Sequence, residues 1–212
     1  MTDGSRDDLA ARRGAEQKVY QPAEDSGLLA EAIAERGRGR LLEVGTGSGW
    51  VAERAAATDA VTEVVASDPS PHACRAARER AEGGGTAGDG PAFAVVRADL
   101  VTPFADDAFD AVAFNPPYLP TQPETEWDDW MERALSGGES GRELIEPFLD
   151  SVERVLDPDG VVLLLVSSLA GYDAVLEYAA DRGFEVDDPA VVEESYPFET
   201  LSVVALTPST GT

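Results

Sequence analysis

Short β-rich apolar runs alternate with helix-forming stretches along this chain, and several runs end on a glycine, a carboxylate or an amide. Residues 41–44 lead into Gly45, 61–67 into Asp68, 93–96 towards Asp99, and Phe109–Phe114 into Asn115. Helices are expected between them, over residues 26–36, 50–57, 73–82, 142–156 and near 172–182. That alternation predicts an α/β domain with a mostly parallel sheet and helices on both faces. Further strands are expected at 161–167, 184–192 and 200–206, which makes seven strands. The last two are joined by 193–199 with no helix between them, so they should form an antiparallel hairpin at one edge. Ligands of such sheets bind at the carboxyl ends of the strands, near the topological switch point. The Gly45–Gly49 loop, Asp68, Asp99 and Asn115 should therefore converge on one rim.

Asn115-Pro116-Pro117-Tyr118 is the sharpest local signal. Each proline fixes its own φ and pushes the residue before it out of the helical region, and neither has an N–H to donate. What remains is one side-chain amide, two backbone carbonyls and an aromatic ring. That set suits a planar NH2 group. The Asn115 side-chain oxygen and the Pro116 carbonyl can accept its two hydrogens while Tyr118 covers its face. An amide or aryl amine is a poor nucleophile, and holding it in line would help it attack an electrophile. Asn-Pro-Pro alone also reads as a plain turn after a strand.

Glu43-Val44-Gly45-Thr46-Gly47-Ser48-Gly49 is a strand-to-helix glycine loop. Glycines let the backbone turn tightly and approach a ligand. Trp50 stands where a dinucleotide fingerprint needs its third glycine, so that pattern is broken. Gly-x-Gly-x-Gly with an acidic residue two before it is typical of S-adenosylmethionine binding, although a structural turn would look the same. Asp68, nineteen residues beyond Gly49, can accept both ribose hydroxyls or can cap the next helix. Asp99 can accept an adenine amino group or can serve a turn. Glu43 can order the loop or meet a methionine ammonium group.

The 212 residues fit one domain, expected over 19–212 after a frayed segment at 1–18. Net charge is −25, and Lys18 is the only lysine. The acids are spread along the chain, which favours adaptation to high salt over one basic partner. No basic stripe of a nucleic-acid binder is visible. Cys74 and His72 are the sole cysteine and histidine, so a disulfide, a histidine triad and a metal site are not expected. The N-terminus lacks the apolar core of a signal peptide, and a cytoplasmic location is expected.

Together these residues resemble the class I S-adenosylmethionine-dependent methyltransferases (Rossmann-like fold). Within them, the chain resembles the HemK-type protein-(glutamine N5) methyltransferases over about residues 19–206. Asn115–Tyr118 resembles that family's catalytic motif and Gly45–Gly49 its cofactor loop. Three segments look like those of the short archaeal and eukaryotic subgroup: Tyr20-Gln21-Pro22-Ala23-Glu24-Asp25-Ser26, Gly137-Gly138 with Gly141-Arg142-Glu143, and Glu199-Thr200-Leu201-Ser202-Val203-Val204. The separate N-terminal helical domain of the bacterial members is not expected here. The resemblance implies a cofactor site drawn from Ser26, Glu43, Gly45, Thr46, Gly47, Gly49, Asp68, Asp99, Leu100 and Asn115. It implies a catalytic set of Asn115, Pro116, Pro117 and Tyr118, and no metal.

In that subgroup the implied substrate is the glutamine of the Gly-Gly-Gln loop of a class I translation termination factor. The implied partner is a small zinc-binding activator protein, giving a heterodimer. Phe93-Ala94-Val95-Val96 is an apolar edge strand with no lysine or proline, so a partner strand could pair with it. A loop of this chain could cover it equally well. N6-adenine methylation of DNA or RNA is the alternative activity, since the same motif can grip an adenine amino group flipped from its stack. A non-catalytic cofactor-binding scaffold is a third reading, which the intact Asn115 and glycine loop disfavour. The acidic stretch at 124–129, with Trp127 and Trp130, reads as a solvated loop or as a hold on the substrate.

Overall fold

The computed structural model describes residue 19 and residues 21–84, 92–121, 134–186 and 190–209. Tyr20, most of the glycine-rich 83–91 linker, Trp127, Trp130 and the acidic stretch around them lie outside the described residues. The elements are α1 (Glu24–Arg36), β1 (Gly39–Val44), α2 (Trp50–Ala56), β2 (Val61–Asp68), α3 (Pro71–Gly84), β3 (Ala94–Arg97) and β4 (Phe109–Phe114), followed by α4 (Ile145–Val152), β5 (Leu156–Ser167), α5 (Tyr172–Asp181), β6 (Phe184–Val186), β7 (Val192–Ser195) and β8 (Thr200–Pro208).

One sheet runs β3-β2-β1-β4-β5-β8-β6, with β7 also on β8. The pairs from β3 through β5 are parallel, and β8 is antiparallel to β5, β6 and β7. Order reverses between β1 and β4, so the switch point falls where Val44 leads into the glycine loop and Phe114 into Asn115. Buried on both faces, β4 and β5 read as near-continuous apolar runs because helices cover each side. Leu29 and Ile33 of α1 join this core, as does Phe148 of α4, whose ring lies 4.7 Å from that of Phe114.

The mostly parallel sheet with an antiparallel end is as expected, but its far end is built differently. The run at 184–192 is not one strand. Among the described residues β6 and β7 are separate, and they pair with opposite ends of β8, at Leu206–Pro208 and Thr200–Val203 respectively. Among the described residues the sheet thus has eight strands. The sequence between them, Asp187-Asp188-Pro189, carries two β-poor residues and a proline that cannot donate to a ladder. The hairpin strand is Val192–Ser195, most of which was expected as connector.

Helix ends also move. Helix α1 starts two residues before Ser26, α3 takes Pro71 at its first position, and α4 is shorter than 142–156. Strand β5 begins at Leu156, yet its pairing with β4 jumps from Leu156 to Val161. The Asp157–Gly160 turn therefore bulges out of the ladder instead of ending the helix cleanly.

Candidate active site

The glycine loop leaves β1 with Gly45, Gly47 and Gly49 all at positive φ, between 54° and 76°. Two carboxylates hold it. Glu43, at the end of β1, is buried and accepts a hydrogen bond from the Thr46 hydroxyl at 2.6 Å. Burial pushes its carboxyl up to about 8; the Thr46 bond opposes that shift and the nearby Asp68 charge adds to it. Asp68, at the end of β2, accepts the Gly47 N–H on Oδ2 at 3.0 Å and the Ser70 N–H on Oδ1 at 2.8 Å. Burial raises the Asp68 carboxyl, and those two N–H groups pull it back. The cap of α3 is Ser70, whose Oγ accepts from His72 and Ala73 N–H. Asp68 is thus free of capping duty and acts as a strap across the loop.

The second wall comes from β4. Pro116 and Tyr118 are buried, and Asn115 is half-buried. Asn115 Oδ1 is sealed from solvent and has no hydrogen-bond partner, the one such side-chain atom among the described residues. A buried orphan acceptor costs about 1–3 kcal/mol, so it marks a place kept for a donor. The chain after Tyr118 is laced to the segment at 135–143. Leu119 N–H reaches Leu135 O, Gly137 N–H reaches Leu119 O, and Thr121 N–H reaches Gly138 O at 2.8–3.1 Å. Gly141, at φ 77°, lies so close that a Cβ there would sit 2.7 Å from the Tyr118 carbonyl. Arg142 anchors this segment by donating to Ala170 O at 2.7 Å.

Between the two walls lies a cavity of about 690 Å³. That volume suits a nucleoside-sized ligand with room for a side chain. Its lining joins the β1 loop (Glu43 to Ser48), the ends of β2 and β3 (Asp68, Ser70, Arg97, Asp99, Leu100), the motif Asn115 to Tyr118, and Asp25 and Ser26 from α1. Leu100 holds φ 48°, a left-handed conformation that a leucine adopts only when its surroundings force it. The strain sits next to Asp99, at the rim.

Residues 42–116 match the family described as "Methyltransferase domain". A Methanocaldococcus jannaschii protein assigned as a protein N5-glutamine methyltransferase is 33% identical over 88% of this chain and 90% of its own length. The chain belongs to the protein N5-glutamine methyltransferases. Human methyltransferase HEMK2 is 30% identical, over 93% of both chains. The E. cuniculi Mtq2–Trm112 complex, responsible for methylation of the eRF1 translation termination factor, contains a chain that superposes with a TM-score of 0.70. That match has 28% identity over 91% of this chain and 100% of that one. S-adenosylmethionine is the methyl donor of this enzyme.

The methyltransferase brings nearly every expected site residue into the cavity wall: Ser26, Glu43, Gly45, Thr46, Gly47, Asp68, Asp99, Leu100, Asn115, Pro116, Pro117 and Tyr118. Gly49 is the exception. It does not line the cavity; a Cβ there would meet Ala77 Cα at 2.9 Å and the Phe93 ring at 3.1 Å. Its φ of 76° and that close approach make it the hinge that seats α2 against α3. Asp25, Trp50, Ser70, Arg97, Ser136 and Glu143 also line the cavity and were not in the expected set. Asp25 and Glu143 lay within segments whose family resemblance was visible. Arg97 carried no signal beyond its place at a strand end.

The hydrogen-bond acceptors of the wall fit S-adenosylmethionine. Two carboxylates, Asp68 and Asp99, stand at consecutive strand ends where hydroxyl and amino donors of a nucleoside need acceptors, and the acidic lining favours a cation.

Proposed function

We propose that this methyltransferase acts on the side-chain amide nitrogen of the glutamine in the Gly-Gly-Gln loop of a class I translation termination factor. The observation that carries this reading is Asn115 on the cavity wall, with a side-chain Oδ1 that has no hydrogen-bond partner. S-adenosylmethionine would supply the methyl group: as the N–CH3 bond forms its S–CH3 bond breaks, S-adenosylhomocysteine leaves, and the nitrogen gives up one of its two hydrogens as a proton to solvent. Asn115 Oδ1 and the Pro116 carbonyl accept the two amide hydrogens, and the Tyr118 ring packs on the amide plane. Holding both hydrogens fixes the nitrogen lone pair in direction and stabilises the positive charge that grows there. Pro117 stiffens the turn that presents these groups. Asp68 would hold the ribose hydroxyls and Asp99 the adenine amino group, with Leu100 and Ser26 completing the cofactor's wall. Gly45, Thr46 and Gly47 bring the backbone against it, with Glu43 ordering the loop.

A small zinc-binding activator protein pairs with the β3 edge in this reading. β3 ends the sheet, and no strand covers its outer side among the described residues. Arg78 beside it donates to Val95 O, and Arg97, its last residue, donates to Pro69 O. The Mtq2–Trm112 pairing of the E. cuniculi relative supports such a partner. The complex is cytoplasmic, where termination factors work.

The test is transfer of labelled methyl to the organism's own termination factor in high potassium chloride, with and without the co-expressed activator. Label on the native factor, lost when the Gly-Gly-Gln glutamine is changed to alanine, is the expected result. An unlabelled factor with label on adenine-containing nucleic acid would replace this reading with N6-adenine methylation.

A further inference from the structure

Phe198 is the one large apolar side chain left open among the described residues, at 75% exposure. It sits in the turn from β7 to β8, next to the exposed Pro197. Since β8 runs antiparallel to β5, its first residues lie at the carboxyl end of the parallel strands. Leu201 pairs with Ser167, the last residue of β5. The turn before it therefore stands on the same rim as Asn115 and the glycine loop.

Several bonds hold this turn still. Tyr196 N–H donates to Glu199 O at 2.7 Å, and Glu199 Oε2 accepts from the buried Ser167 hydroxyl at 2.9 Å. Thr200 N–H donates to Ser168 Oγ at 3.0 Å. Ser168 begins the short 3-10 turn that ends at Ala170, the residue whose carbonyl anchors Arg142 behind the catalytic motif. On the turn's other side, the nearby carboxylates Glu24 and Asp25 help to raise the Tyr196 phenol, after burial and Glu194, and Asp25 lines the cavity. Phe198 is thus presented at the mouth of the site by a turn already ordered.

A rigid exposed aromatic beside an active site suits a macromolecular substrate, because rigid aromatic anchors contribute much of the energy at protein interfaces with little ordering cost. Phe198 does not line the cavity that fits the cofactor. Glu194 Oε2 accepts from the Tyr196 hydroxyl at 2.9 Å and Glu24 lies near that phenol, so two exposed carboxylates flank the turn, neither paired with a cation among the described residues. This flank fits a basic surface. The β3 edge, where an activator would pair, lies at the opposite end of the sheet.

We propose that the Tyr196–Glu199 turn is a docking prong for the protein substrate: Phe198 seats in an apolar pocket of the factor, whose surrounding surface is basic. This rests on the reading of the substrate as a protein. The test measures kcat and KM for the intact termination factor with wild type and Phe198→Ala, each as the activator complex, together with S-adenosylhomocysteine affinity. The expected result is a KM raised about tenfold, with kcat and cofactor affinity within about twofold of wild type. Unchanged KM overturns the prong. So does a fall in kcat at constant KM, which would mean damage to the site. A wild-type enzyme that leaves the factor unlabelled instead removes the substrate reading, and the prong with it, before any variant is compared.

Discussion

The Thr46 hydroxyl donates to Glu43 Oε2 at 2.6 Å, to a carboxyl buried beneath the glycine loop. That carboxyl is pushed up to about 8 against an ordinary value near 4.5. A group raised in the folded state stabilises the fold fully below its unfolded value, and the contribution is lost as pH rises through the folded value. Stability of the cofactor-free enzyme should therefore decline from about pH 5 to pH 8. Glu43→Gln removes this component, since an uncharged amide can still accept from Thr46. Between those pH values, the stability of the variant relative to wild type should rise by a few kcal/mol. Urea unfolding of both proteins across pH measures it, and parallel curves would contradict the buried, protonated carboxyl.

Asn115→Ala should separate stability from activity. Removing the orphan Oδ1 relieves an unsatisfied buried acceptor, so Tm should hold or rise by about 2–4 °C. Methyl transfer should fall by about 10²–10³ in kcat, the usual cost of one preorganised electrostatic contact. Affinity for S-adenosylhomocysteine should change by less than about threefold. A variant that is less stable and still active would mean that Asn115 serves the turn and not the amide.

Gly49→Ala tests packing against cofactor contact. The new methyl would meet Ala77 Cα at 2.9 Å, on a backbone at φ 76°. Strain of this kind costs about 1–3 kcal/mol. Tm should drop, while the folded variant keeps S-adenosylhomocysteine affinity within a few-fold, because Gly49 faces α3 and not the cavity. A large loss of affinity with unchanged Tm would return Gly49 to the cofactor site.

The rim was legible because strand ends carry chemistry. Asn115, Asp68 and Asp99 each stand where an apolar run stops, and the switch point between β1 and β4 brings those ends together. What sequence could not divide was the labour among neighbours. Three loop glycines look alike in sequence, yet Gly49 serves a helix contact set by Ala77, some thirty residues away. Asp68 and Ser70 are both good caps, and only the start of α3 at Pro71 gives that task to Ser70. The division of 184–192 into β6 and β7 depends on the length of β8, which has room for a partner at each end. Tertiary pairing decides such matters, and local propensity does not encode it.

Asp68 gives the last prediction. Its two oxygens each accept a backbone N–H, from Gly47 at 3.0 Å and Ser70 at 2.8 Å. An asparagine keeps the shape but has only one oxygen, so an NH2 group must face one of those donors. Asp68→Asn should therefore loosen the loop as well as remove the charge. Losing a charge-assisted bond costs about 1.5–3 kcal/mol, or roughly 10–100-fold in affinity for S-adenosylhomocysteine. The wild-type affinity should also weaken on acidification as the raised carboxyl takes up its proton, and the variant should lose that pH dependence. Calorimetric titration across pH measures both effects. If Asp68 served the fold alone, Tm would fall and the folded variant would bind the ligand as wild type does. Ser70 still caps α3 in the variant, so a collapse of that helix cannot mimic the expected result.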